Sequence, residues 1–249
     1  MELGVECGTH VGQRKNNEDA FLADAKLGLF VVADGMGGYE GGEVASRLTV
    51  EAIRRFVSWG LRDDGGAADA GSTRGEGAKS YEEDLLNAAV VAAHEAIVAQ
   101  RKGPIIEMGS TVVAALLTGR HLVVAHVGDS RLYRLRDGAL ANLTRDHSVW
   151  EALKSSGVPG HVRLPARNQL IRALGVEGSH LADVARHDVC LGDTYLLCSD
   201  GVYDPLDEGD IKSALHLGPG EGCAHLISQA LRNGGADNLT GVMVRVTEG

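Results

Sequence analysis

Three apolar runs in this 249-residue chain end on an aspartate beside a glycine, and that recurrence constrains the fold more than any other feature. Leu29-Phe30-Val31-Val32-Ala33 runs into Asp34-Gly35-Met36-Gly37-Gly38. Leu122 to Val127 runs into Gly128-Asp129, and Tyr195 to Ser199 runs into Asp200-Gly201. A fourth aspartate, Asp237, stands just before the apolar run Val242 to Val246. Short apolar runs bounded by turn residues are the mark of buried strands. The chain therefore places carboxylates repeatedly where buried strands begin or end. The glycines after Asp34 let the backbone bend and approach a partner closely. A single Asp-Gly pair is an ordinary turn signal, and Asp137-Gly138, between two strand candidates, is expected to be only a hairpin turn. The question is whether the other aspartates are also turn chemistry or form one metal site.

The pattern along the chain favours strands interrupted by helices. Val5 to Val11 reads as a strand, followed by the polar cluster Gly12 to Asp19. Ala20 to Ala23 and Leu27 to Ala33 form a hairpin across Asp24-Ala25-Lys26. Helical spacing then runs from Glu43 to Trp59, where Val44, Leu48, Ala52 and Phe56 recur, with Gly60 as its stop. Residues 60–80 are rich in Gly, Ala, Asp and Ser and read as a surface loop or spacer. A second helix covers Tyr81 to Arg101. Four short strands follow over Ser110–Leu117, His121–Val127, Ser130–Leu135 and Ala139–Leu143. His147 to Ser156 suits a short helix, whereas Gly157 to Arg167 is irregular, the kind of long loop that often serves function. Asn168 to Leu174 reads as ordered again. A strand at Thr194–Cys198, helices at Asp207–His216 and Glu221–Arg232, and a strand at Gly241–Val246 complete the chain. Asp207 caps its helix with Asp210 three residues on. The class is α+β, with helices covering antiparallel sheets.

Composition narrows the function. A net charge of −10 and a pI of about 5.4 argue against nucleic-acid binding, which needs a basic face. They do not exclude a phosphorylated substrate if bound cations reverse the local field. Cys7, Cys190, Cys198 and Cys223 include no C-x-x-C pair and read as reduced core or near-core residues of a cytoplasmic protein. Met1-Glu2-Leu3-Gly4 has no basic region leading into an apolar stretch, so no signal peptide is expected, and no run is long enough for a membrane span.

Glu18, Asp19, Asp34, Asp129, Asp200 and Asp237 each lie beside a strand edge and a polar or glycine turn. Converging without cations, they would repel one another and hold raised pKa values. Divalent metals resolve that conflict, and an oxygen-only set favours magnesium or manganese over zinc. Paired Cys/His spacing, an H-E-x-x-H helix, an EF-hand loop, a phosphate-binding P-loop and a nucleophile elbow are all missing. Two such metals would suit attack of activated water on a phosphate ester. Arg14, close in sequence to Glu18 and Asp19, could hold phosphate oxygens in a two-point contact. The competing reading is that most of these carboxylates are solvent-facing turn residues.

The motifs Arg14-x-x-Asn17-Glu18-Asp19, Asp34-Gly35-Met36-Gly37-Gly38, Gly109-Ser110-Thr111, Gly128-Asp129-Ser130-Arg131, Leu143 to Ser148, Arg172-Ala173-Leu174-Gly175, Ser199 to Asp204 and Asp237-Asn238-Leu239-Thr240 occur in that order. This set resembles the metal-dependent Ser/Thr protein phosphatases, the PPM or type 2C family, in their short bacterial form. The resemblance runs from about residue 5 to residue 246. It implies one catalytic domain over residues 1–249, built as a four-layer α-β-β-α sandwich of two antiparallel sheets flanked by helices. It also implies two or three Mn2+ or Mg2+ ions at one end of the sandwich. Asp34 would bridge two metals, the Gly35 carbonyl would bind one of them, and Asp200 and Asp237 would bind the other. Glu18 would act through water, Asp19 would support the cluster, and Asp129 with Asp200 would hold a looser third ion. Arg14 would grip the phosphate while bridging water attacks phosphorus in line. Residues 148–170 would form a flap beside the site, and Asn238 and Thr240 would shape the turn that presents Asp237.

The implied activity is hydrolysis of phosphoserine and phosphothreonine in proteins, opposing a bacterial Ser/Thr kinase, by a cytoplasmic monomer. Alternatives are a phosphatase of anti-sigma-type regulators and an inactive phosphoprotein-binding scaffold. The intact acidic set argues against the scaffold. Met36 stands where many animal relatives carry a proposed general-acid histidine, which leaves the proton donor open. His147 and His10 are only loosely associated candidates, and Tyr39 stands where bacterial relatives often have histidine.

Overall fold

The alternation of side chains along the central strands explains the architecture. In the strand Leu29–Met36, Val31 and Ala33 belong to one apolar cluster, while Phe30 and Val32 belong to another. A strand buried on both faces needs a layer on each side. The computed structural model describes residues 1–37, 41–63, 80–157, 166 and 168–248. Tyr39, residues 64–79 of the Gly-rich loop and residues 158–165 and 167 of the flap lie outside the described residues.

The elements in chain order are β1 (Glu2–His10), β2 (Asp19–Asp24), β3 (Leu29–Met36), α1 (Gly41–Asp63), α2 (Tyr81–Gln100), β4 (Gly109–Ser110), β5 (Val112–Thr118), β6 (His121–Val127), β7 (Arg131–Arg136), β8 (Ala139–Asn142), α3 (Val149–Ser155), β9 (Asp183–Asp188), β10 (Thr194–Cys198), α4 (Asp200–Tyr203), α5 (Glu208–Leu217), α6 (Pro219–Arg232) and β11 (Leu239–Thr247). They form two antiparallel sheets. One has the order β1-β11-β10-β7-β8, the other β2-β3-β5-β6-β9, with β4 pairing the end of β3.

Phe30, Val32, Val113, Tyr195, Leu197, Val242 and Val244 fill the space between the sheets. Ile53, Val57, Leu86, Ala93 and Ile97 of α1 and α2 cover the outer face of the second sheet. Ile211, Leu215, Leu226 and Ala230 of α5 and α6 cover the outer face of the first. The result is the expected α-β-β-α sandwich, with aliphatic side chains doing most of the filling. Truncating a fully buried leucine such as Leu86 to alanine would cost about 2–5 kcal/mol.

Two local expectations change, and one strand comes unannounced. Gly60 does not stop α1, which continues to Asp63. Instead Gly60 is a close-packing point: a Cβ there would lie 2.3 Å from Leu85 Cδ1, and its carbonyl accepts from Tyr81 Oη at 3.2 Å. Strand β9 has no apolar run to announce it. It is an edge strand with four of its six residues exposed, as edge strands often are. Cys190 is exposed rather than near the core, although all four cysteines are free. Asn168 to Leu174 forms no helix or strand, but bridges tie Leu170 to Ser148 and Leu174 to Ser110. Asp137 (φ 49°) and Gly138 (φ 74°) make the expected tight hairpin turn between β7 and β8.

Candidate metal centre

Strand register places the first two carboxylates. Asp19 lies directly opposite Asp34 across the β2–β3 ladder. Phe21 and Val32, the pair two positions along, point between the sheets, so Asp19 and Asp34 share that face. Like charges directly opposite, with Cβ atoms about 5 Å apart, oppose pairing. Asp129 follows β6, Asp200 opens α4 immediately after β10, and Asp237 precedes β11. Both sheets thus deliver carboxylates to one end of the sandwich. There, Arg14, Lys15, Asn16, Glu18, Asp34, Gly35, Asp129, Asn168, Leu170, Asp200 and Asp237 are among the residues lining a cleft of 490 Å³. Asp19 sits beneath it.

The backbone of this end is held by polar side chains. Asp34 N–H donates to Thr111 Oγ1 at 3.1 Å, and Thr111 N–H donates back to the Asp34 carbonyl at 2.8 Å. Asn238 accepts from Glu18 N–H at 2.8 Å and donates to the carbonyls of Val11 and Asn16, both at 2.9 Å. It therefore fixes Glu18 as well as the Asp237 turn. Ser199 Oγ donates to Asp19 Oδ2 at 2.8 Å and accepts from Thr240 N–H at 3.1 Å, tying the two sheets together under the site. Gly35 and Gly42 permit the start of α1 to lie against this end. A Cβ on Gly35 would stand 2.0 Å from the Gly42 carbonyl oxygen, and one on Gly42 would stand 2.2 Å from Glu18 Oε2.

Burial and mutual repulsion raise the acids. Burial is the larger cause for each, followed by the neighbouring charges. Asp34 is held well above the usual carboxylate range by burial, then by Asp19, Asp200, Asp129 and Asp237. Asp200 is raised to about 8 by burial, then by Asp129 and Asp237. Asp129 is raised to about 7 by burial and then by Asp146. Asp19 is raised to about 6 by burial, against the hydrogen bonds from Thr240 and Ser199. Asp19 Oδ1 and Asp200 Oδ1 are buried without a hydrogen-bond partner. Orphaned carboxylate oxygens in an oxygen-only set fit hard divalent cations, which bind such oxygens and remove the repulsion. Arg14 stands at the rim, and its guanidinium donates to Asp237 Oδ2 at 2.7 Å.

The two histidines suggested as proton donors are elsewhere. His10 is exposed and accepts from Gly12 N–H. His147 is buried behind the Asp129 turn, stacked on His126 with ring centroids 4.6 Å apart. Neither is among the residues lining the cleft. His126, His147 and Asp183 do converge as a second group of metal-ligand type. Two observations speak against an ion there. The Arg172 guanidinium already lies 2.6 Å from Asp183 Oδ1 and 3.1 Å from His147 Nε2. His147 Nδ1 accepts from Gly128 N–H at 3.2 Å, which leaves only Nε2, the nitrogen that Arg172 already faces, to meet an ion. Sequence reading left Ser199, Thr111 and the cleft-lining Lys15, Asn16, Asn168 and Leu170 without roles. The first two stood inside quoted motifs, while the others carry no pattern of their own.

An oxygen-ligand cleft at one end of a double-sheet sandwich defines a class, and comparison agrees. Residues 8–217 match the family model described as Protein phosphatase 2C. The chain is 39% identical over 94% of its length to the serine/threonine protein phosphatase PstP of Mycobacterium tuberculosis, of which it spans 43%. It is 33% identical over 93% of its length to the serine/threonine phosphatase stp of Listeria innocua, spanning 90% of that protein. A crystal structure of the PstP catalytic domain in complex with two manganese ions superposes with a TM-score of 0.82 at 34% identity, covering 99% of both chains. The chain belongs to the protein phosphatase 2C family.

Proposed function

We propose that this chain is a metal-dependent serine/threonine phosphoprotein phosphatase. The observation that carries the reading is the meeting of Glu18, Asp34, Asp129, Asp200 and Asp237 in one cleft above Asp19, with two orphaned carboxylate oxygens and Arg14 at the rim. An anionic cleft repels a phosphate dianion unless cations are bound. The manganese of the PstP structure and the phosphatase names of the relatives support the same reading.

In this proposal Asp34, the Gly35 carbonyl, Asp200 and Asp237 would hold two Mn2+ or Mg2+ ions, with Asp34 placed between the two sheets' contributions. Glu18 acts at one remove and Asp19 supports from below. Asp129, with Asp200, would hold a third, weaker ion. The cations supply the positive field and the activated water that phosphate hydrolysis requires. Arg14 orients the phosphate through its planar fork and shares the Asp237 edge of the cleft. Ser199, Thr111 and Asn238 keep the carboxylates in register. The whole of residues 1–249 acts as one catalytic domain. Its partners are phosphoserine and phosphothreonine proteins, including a cognate Ser/Thr kinase, met by a cytoplasmic monomer. Among the described residues no helix is long and apolar enough to cross a membrane.

The test is release of phosphate from p-nitrophenyl phosphate and from a phosphothreonine peptide, with and without Mn2+. Asp34→Ala and Asp200→Ala should each abolish it while leaving the folded far-ultraviolet signature intact. Full activity in both variants would remove the metal assignment.

A further inference from the structure

His147 lies outside the cleft, yet it holds the turn that carries one of the cleft's carboxylates. We infer that His147 is the positioning residue for Asp129, acting through its Nδ1 atom. This rests on the metal-dependent reading of the cleft.

The turn Gly128-Asp129 leaves β6 with Gly128 at φ 101°, a backbone shape that L side chains rarely adopt. Two hydrogen bonds to one residue hold it there. Gly128 N–H donates to His147 Nδ1 at 3.2 Å, and His147 N–H donates to the Gly128 carbonyl at 2.8 Å. On the far side Tyr203 Oη donates to the Asp129 carbonyl at 3.0 Å. Asp129 is buried and short, so the position of its carboxylate follows from where this backbone sits.

The imidazole is itself prepared for the task. His126 Nε2 donates to the Arg145 carbonyl at 2.9 Å, which fixes the ring on which His147 stacks. Asp183 Oδ2 lies 3.3 Å and the Arg172 guanidinium 3.1 Å from His147 Nε2, so that edge of the ring is held while Nδ1 faces Gly128 N–H. Arg172 holds Asp183 in place at 2.6 Å. The backbone of His147 reaches further. Its carbonyl accepts from Ile171 N–H at 2.8 Å, and Val149 N–H donates to the Gln169 carbonyl at 2.8 Å. One residue therefore joins the Asp129 turn to both ends of the 148–170 segment. A histidine that acts only by filling space would not need an acceptor at Nδ1.

Groups that orient a metal-binding residue typically alter metal affinity by about 10–100-fold when removed. The test is calorimetric titration of Mn2+ into the wild type and into His147→Asn, His147→Gln and His147→Leu, with a thermal melt of each in EDTA. Asparagine sets an amide oxygen near the place of Nδ1, whereas glutamine reaches the place of Nε2. The weakest Mn2+ site of the wild type should lose about tenfold or more in affinity in His147→Leu and His147→Gln. It should stay within about threefold in His147→Asn, and the tighter sites should be unchanged throughout. If His147→Leu does not fold, the contrast between Asn and Gln decides alone. Equal loss in Asn and Gln, or a wild-type titration in His147→Leu, overturns the inference and leaves the phosphatase reading standing. A wild type that binds no Mn2+ overturns both.

Discussion

The Asp200→Asn substitution should stabilise the metal-free protein while disabling it. Asp200 has a folded pKa of about 8, set by burial and then by Asp129 and Asp237, against about 3.9 in an unfolded chain. The folded state thus retains a proton that the unfolded state releases, and stability falls as pH rises from about 4 to about 8. Over the three pH units up to 7, at roughly 1.4 kcal/mol each, the group costs the fold about 4 kcal/mol. Local relaxation and proton sharing with Asp34 and Asp129 reduce that, so a gain of about 2 kcal/mol is the working expectation. For a domain of this size that raises Tm by about 4–8 °C. An amide in place of the carboxylate also removes one orphaned carboxylate oxygen. The assay is a thermal melt of wild type and variant in EDTA from pH 5 to 8, repeated with Mn2+. In EDTA the variant should melt higher at pH 7–8, and the gap should close toward pH 5. With Mn2+ the order should reverse, because the wild type gains cation-binding free energy that the variant loses. A variant that melts at or below the wild type in EDTA at pH 8 would refute the argument that repulsion among these carboxylates is stored in the fold.

Arg14→Ala should raise KM for a phosphopeptide more than it lowers kcat, because the side chain is 60% exposed at the rim and its proposed role is to hold phosphate mostly in the ground state. Steady-state kinetics decide this, and an effect on kcat alone would move Arg14 to the transition state. Asp193→Ala should cost about 3 kcal/mol and leave manganese-dependent activity at low temperature unchanged, since it strands Arg136, the Tyr195 hydroxyl and Cys190 N–H. Burial raises the Asp193 pKa, but its bonds to Arg136, Cys190 N–H and Tyr195 outweigh that and depress it. Its stabilisation is therefore present above about pH 4 and lost as pH falls through the depressed value; urea melts at pH 7 and pH 3 should differ less in the variant. Gly60→Ala should destabilise by about 1–3 kcal/mol by chemical denaturation despite a better helix propensity, because its Cβ would press on Leu85; a more stable variant would show that α1 and α2 can part there.

How much of this could be read from the sequence depends on whether the chemistry was local. Strands β3, β6, β10 and β11 announced themselves because burial on both faces demands continuous apolar runs. Strand β9 did not, because an edge strand of Asp183-Val184-Ala185-Arg186-His187-Asp188 satisfies a ladder on one side and water on the other. Gly60 looked like a stop signal because sequence shows a missing side chain but not the Leu85 that fills the space. The acidic residues of the cleft were found by their positions at strand ends, and their grouping was implied by ordered motifs spread over the whole chain. What holds them was hidden. Ser199 reaches Asp19 across 180 positions, and Asn238 reaches Glu18 across 220, so no window of sequence contains either pair.

The same distances bear on why the site lies at the end of a sandwich. Asp19 and Asp34 come from one sheet, Asp200 and Asp237 from the other, and the apolar layer between the sheets stops just below them. Apolar packing cannot continue through a group of carboxylates, so the two sheets are joined there by polar links: Ser199 to Asp19 and Asn238 to Glu18. Cations bound by Asp34, Asp200 and Asp237 would join the sheets at the one level where apolar contact ends. The carboxylates that weaken the metal-free fold are then the groups through which cation binding strengthens it. On this view the cleft's affinity for divalent ions and the cohesion of this end of the sandwich are one free energy, divided between folding and binding.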